Sequence, residues 1–175
     1  ARCETLPLAL GSCSAHTVRL DTWRYSEQKL FEMQQLCAPR ALLRLRANCP
    51  DLKVFTTEYT FFAQFGDGEA EELARAIANN TQLQRLYITS KTLTRQGLGL
   101  LANAVESSGV VFVGLETTCY TPALRLRLDQ ATFRNTVRRV AANDVALRYL
   151  QLKVFGLQHL PELRLALRFT TSLRS

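Results

Sequence analysis

The sequence predicts an α/β fold, a right-handed solenoid of about five strand–helix repeats whose strands form one parallel sheet on the concave side. Three observations carry that prediction. The spelling Ala-Asn-x-x-x-Leu occurs three times, at Ala47-Asn48 to Leu52, Ala78-Asn79 to Leu83 and Ala142-Asn143 to Leu147. Each copy follows a stretch with helical apolar spacing and precedes a short strand-like one, as a repeated supersecondary unit requires. Beyond each turn, large residues recur at positions 1, 4 and 6 of a common frame. Strand–helix alternation alone would equally suit a parallel sheet with helices on both faces. The repeated turn implies translation of one unit and decides for the solenoid.

The elements follow in chain order within a single domain, 1–175. Residues 1–14, with the apolar segment Thr5–Leu10, read as an N-terminal cap. About five irregular repeats occupy 15–170, and 171–175 form a tail. The first frame is Ala15, Val18, Leu20, the least regular copy. Ser26 to Asn48 is helical in pattern but interrupted at Pro39, which predicts two helices. The second frame, Leu52, Phe55, Thr57, has a polar third member. Gly66-Asp67-Gly68 then opens a helix through Ala78 with acids in its first turn, where the helix dipole favours them. Leu83, Leu86 and Ile88 follow, and Gln96 to Val105 is the next helix, weakened by Gly97 and Gly99. Ser107-Ser108-Gly109 makes a diverged turn before Val110, Val113 and Leu115. Pro122 suits the first turn of a long helix through Ala142, with Leu124, Leu128, Ala131 and Val140 among its apolar positions. The last frame is Leu147, Leu150, Leu152, with a helix over His159–Arg168 beyond it.

A strand–loop–helix unit with an LxxLxL frame resembles a leucine-rich repeat, and its long helical outer segments resemble the ribonuclease-inhibitor-like subclass. The resemblance covers residues 15–170. It implies a curved solenoid that binds proteins on its concave strands, as a substrate receptor or scaffold does. The family's frame continues to an Asn that satisfies backbone groups inside the turn. Here the matching positions are Trp23, Thr60, Lys91, Thr118 and Phe155, so the chain reads as a degenerate member. The third frame positions are spaced by 37, 31, 27 and 37 residues, three of the four longer than the family's usual repeat.

Composition bounds the function. Hydrophobic residues are 47% and charged residues 21% of the 175, which is globular composition. No apolar run approaches the roughly 20 residues of a membrane-spanning helix. The net charge of +7 is not spread evenly: residues 121–175 carry ten basic side chains against three acids, and residues 1–120 are balanced. Five cysteines at irregular spacing fit reduced thiols better than a disulfide framework. His16 and His159 lie far apart, no metal-ligand spacing occurs, and no phosphate loop, dinucleotide fingerprint or nucleophile elbow is present. The Cys13–His16 pair and the acidic start Glu69, Glu71, Glu72 are better read as structural than as catalytic. The expectation is a non-enzyme without cofactor or metal. The start Ala1-Arg2-Cys3 would suit removal of a leader, and with the basic balance it predicts an intracellular protein, mitochondrial on the matrix side or else cytoplasmic.

In-register parallel strands would place residues between the frame positions on the concave face. Reading across the strands gives a protein-binding face of Arg85, Tyr87, Phe112 and Tyr149 with an acidic margin of Asp21, Glu58 and Glu116. On the convex side, Arg125, Arg127, Arg134, Arg138, Arg139, Arg164 and Arg168 make a stripe for an anionic partner. The pattern therefore predicts a structural or interaction subunit of a larger assembly, with other protein subunits as partners. RNA or an anionic lipid surface is the possible partner of the arginine stripe. An RNA-binding accessory protein and a substrate-receptor module are the alternatives.

Overall fold

Three asparagines set the architecture. In the computed structural model, which describes residues 41–57, 65–144, 147 and 160–168, Asn48, Asn79 and Asn143 have φ of 50°, 64° and 51°. They are the non-glycine residues with positive φ among those described, and all three belong to the repeated Ala-Asn spelling. Asparagine tolerates the left-handed region better than other residues with a Cβ, so it ends a helix and turns the chain. At Asn48 the turn is a Schellman motif, with Asn48 N–H donating to Leu45 O at 3.0 Å and Cys49 N–H to Arg44 O at 3.0 Å. Asn143 repeats it, with its N–H on Val140 O at 2.9 Å and Asp144 N–H on Arg139 O at 3.0 Å. Asn79 reaches the same end as the third residue of a type II turn, closed by Asn80 N–H to Ile77 O at 2.9 Å.

The elements between these turns follow the apolar pattern. Helical residues 41–46 (α1) lead to β1 (Val54–Thr56) and then α2 (Asp67–Ile77). The units β2 (Arg85–Ser90) with α3 (Arg95–Ser107) and β3 (Phe112–Thr117) with α4 (Pro122–Ala141) come next, and α5 (Leu160–Leu167) follows. Caps fix the helix starts. Gly66 N–H donates to Glu69 Oε2 at 3.0 Å at α2, while Thr94 and Thr121 hydroxyls accept from Gln96 and Leu124 N–H at α3 and α4.

The sheet is parallel, ordered β1-β2-β3, with Val54, Arg85 and Phe112 in one register row and Thr56, Tyr87 and Gly114 in the next. Alternate side chains point to opposite faces. Leu86 and Ile88 are buried with Leu52, Leu83 and Val110 against α2, α3 and α4, whose Leu73, Ile77, Leu98, Leu101, Val105, Leu128 and Ala131 share the same core. Among the described residues, the helices therefore cover one face of the sheet and none lies on the other.

The expected solenoid of about five repeats is corrected to a three-stranded α/β arrangement. In the second frame the polar third member shortens the strand. Thr57 Oγ1 accepts from Thr89 N–H at 2.8 Å in place of a backbone carbonyl, and β1 ends after three residues. At the other end, Leu147, the first member of the last frame, is buried. It joins Val140 and Ala166 in a separate small cluster where α5 packs on the end of α4. The cap 1–14, the frame at 15–20, Leu150, Leu152 and the tail 171–175 lie outside the described residues.

Buried polar side chains tie the backbone of the turns together. Buried Asn80 donates to Leu45 O at 2.6 Å and accepts from Gln82 and Leu83 N–H, and buried Asn135 donates to Val105 O and Val110 O, each at 2.9 Å. Ser90 donates to Phe65 O and accepts from Thr92 and Leu93 N–H. Lys91 and Thr118, at two of the positions where the resemblance expects an Asn, are exposed, and Trp23, Thr60 and Phe155 lie outside the described residues.

Asp67 ties α2 to α3. Its carboxylate accepts from the Thr94 hydroxyl and from Thr94 N–H, the latter at 2.9 Å, and these bonds hold its carboxyl below the ordinary carboxylate range. A carboxyl whose folded pKa is depressed stabilises the fold above its unfolded pKa, about 4, and loses that contribution as pH falls through the folded value. Asp67→Asn therefore removes part of the acid sensitivity. The stability difference between wild type and variant, measured by urea unfolding, is largest near neutrality and shrinks below about pH 4; a difference independent of pH contradicts the assignment.

Candidate docking face

The open face of the sheet is built from the residues that alternate with the frame. Val54 stands 41% exposed at one edge, and Arg85, Tyr87 and Phe112 are half-buried beside it. The Tyr87 and Phe112 rings pack at 5.1 Å between centroids, tilted by 41°, within the range of favourable aromatic pairs. Gly114 makes room for this pair, since a Cβ there would lie 2.8 Å from Tyr87 Cδ1. At the C-terminal end of the strands, exposed Thr89 and Glu116 are neighbours, with Thr89 Oγ1 donating to Glu116 Oε2 at 3.4 Å. Of the seven residues expected on this face, Arg85, Tyr87, Phe112 and Glu116 are brought together. Tyr149, Asp21 and Glu58 lie outside the described residues.

The arginine stripe divides. Arg127 grips Glu106 with two hydrogen bonds, Nε to Oε1 at 2.8 Å and Nη2 to Oε2 at 2.9 Å, and also reaches Asn103. That grip holds the Glu106 carboxyl below its ordinary range, with Arg134 at 4.0 Å adding to it. Arg125 pairs loosely with Asp129 at 3.9 Å. Arg139 is corrected from a surface residue to a buried one. It is 6% exposed and donates through Nη1 to Thr81 O at 3.0 Å and Gly109 O at 2.9 Å. Its Nη2 lies 2.7 Å from Asp144 Oδ2, an ion contact not aligned as a hydrogen bond. Arg134, Arg138, Arg164 and Arg168 remain exposed.

Sequence reasoning missed Asn80, Asn135 and Asp67. A signal for Asn135 was present: positions 128, 131, 135 and 139 share one stripe of α4, and the first two are apolar. Polar residues continuing an apolar stripe mark buried hydrogen-bonding joints.

One further polar contact involves a thiol. Arg44 donates to Cys49 Sγ at 3.2 Å, which draws that thiol below its usual range. Among the described residues, no three His, Cys, Asp or Glu side chains come together to hold a metal, and no helix is long and apolar enough to cross a membrane. Cys13, His16 and His159 lie outside the described residues. Compared with protein-family models and with curated proteins, the chain matches none.

Proposed function

We propose that this chain is a non-catalytic interaction subunit that holds a protein partner against the open face of its sheet. One observation carries the reading: a packed aromatic pair, Tyr87 and Phe112, sits on a sheet face that none of the described helices covers, in a space that Gly114 keeps clear. Rigid aromatic side chains give large contact area at small entropic cost, and interface anchors are enriched in them. Arg85 and Glu116 at either end of the pair supply charges that fix the orientation of what docks there. RNA is the weaker reading, because Arg139 is buried and Arg127 is committed to Glu106.

The test places a photo-crosslinking benzophenone side chain at position 112 and, as a control, at exposed Arg75 on the helical layer. Irradiation of the protein in its native source is expected to give adducts of discrete mass from position 112 alone. The pair Tyr87→Ala and Phe112→Ala is expected to lose that partner while keeping a cooperative thermal transition. Equal cross-linking from both positions, or binding unchanged by the double substitution, sinks the proposal.

A further inference from the structure

From the junction of α4 and α5 we infer a second surface, one that docks this protein on an anionic phospholipid membrane. Arg134 and Arg138 are four residues apart on α4, and Arg164 on α5 is four residues before Arg168, the turn residue that follows that helix. The two helices meet at Val137, Val140 and Ala166, which brings both pairs to one junction. All four arginines are exposed, and among the described residues Arg138, Arg164 and Arg168 have no ion-pair partner. Like charges at this helical spacing repel one another in the isolated protein. An anionic surface reverses the sign of that contribution.

The apolar content selects the kind of anion. On α5, Leu165 is 60% and Leu167 is 40% exposed, while Ala166 is buried toward α4. Successive helical residues turn by about 100°, so Arg164 and Arg168 sit opposite Ala166 with the two leucines on their flanks. A phosphodiester backbone gives leucine nothing to bury against, and single-stranded RNA is gripped by aromatic stacking, which the exposed residues of α5 do not offer. A bilayer interface accommodates both groups: leucine enters the acyl boundary and the arginine stem lies along apolar surface with its guanidinium among phosphates. Basic side chains near an anionic leaflet each strengthen binding about fivefold. This surface belongs to the helical layer, away from the open sheet face, and stands or falls independently of the reading proposed for that face.

The experiment is co-sedimentation of the full chain with phosphatidylcholine vesicles containing or lacking phosphatidylglycerol. Binding is expected only to the anionic vesicles, and high salt should weaken it. Arg164→Gln with Arg168→Gln lowers the partition roughly 25-fold, and Leu165→Ser with Leu167→Ser lowers it roughly tenfold. Both variants change exposed positions, and unfolding curves coincident with wild type confirm that folding is intact. No binding to anionic vesicles at low salt overturns the inference. So does partition unchanged by the leucine substitutions, or retention of a bulk RNA in preference to vesicles.

Discussion

Arg139→Met is expected to lower the unfolding free energy by about 3 kcal/mol, the usual scale for removing one partner of a buried charged joint. The methionine fills similar apolar volume but donates nothing. Thr81 O and Gly109 O lose their guanidinium donor at once, and Asp144 loses its ion contact while its carboxylate is only partly exposed. These carbonyls belong to the turns after α2 and α3, so the loss falls on the joint that holds three successive units together. Urea unfolding at neutral pH measures it through the midpoint and slope. Arg139→Lys recovers only part, since an ammonium cannot fork to two carbonyls and a carboxylate in the same way. A change below about 1 kcal/mol for Arg139→Met contradicts the role assigned here.

Gly109→Ala is expected to cost about 2 kcal/mol through overpacking. The added Cβ would lie 2.8 Å from Thr81 O and 3.0 Å from Thr81 Cα, both backbone atoms, and 3.0 Å from Arg139 Nη1. Backbone atoms of a neighbouring turn cannot swing aside as a side-chain tip can, so the turn itself must shift. The close approach is real pairing, since Gly109 N–H also donates to Asn80 O. Because Gly109 and Arg139 act on one joint, the double variant loses less than the two single losses together, and a double-mutant cycle measures that coupling. Strict additivity would separate the two residues.

Much of the local structure was legible because it rests on short-range rules. The Ala-Asn spelling marked three left-handed turns, and the frame residues Leu83, Leu86 and Ile88 are buried as their spacing requires. Pro122 and the long apolar stripe after it predicted α4 to within one residue at its end. The open-face rows were readable for the same reason, since a parallel register fixes them once the frames are aligned. The number of repeats was not legible. A frame with one polar member, Leu52, Phe55, Thr57, reads like the apolar frames in the sequence, yet it yields a strand of only three residues, with the Thr57 hydroxyl accepting from Thr89 N–H beyond its end. Arg139 shows a second limit. Charge counting put it on the surface with Arg138, although one residue of helical rotation separates an exposed side chain from a buried one.

The parallel sheet has a further electrical consequence. Consecutive strands in one parallel sheet return every intervening helix in the same direction, so α2 and α3 end at the same edge of the molecule. Helix dipoles that cancel in an antiparallel bundle add in this arrangement. The carboxylate of Asp67, the first residue of α2, reaches the start of α3, where the positive pole is, and Arg139 donates to carbonyls of the turns that follow the negative poles. The protein therefore carries a permanent dipole across its helical layer in addition to its net charge. A charged partner approaching it is turned before it touches, and the rate of correct encounter rises with no change in the contacts finally made.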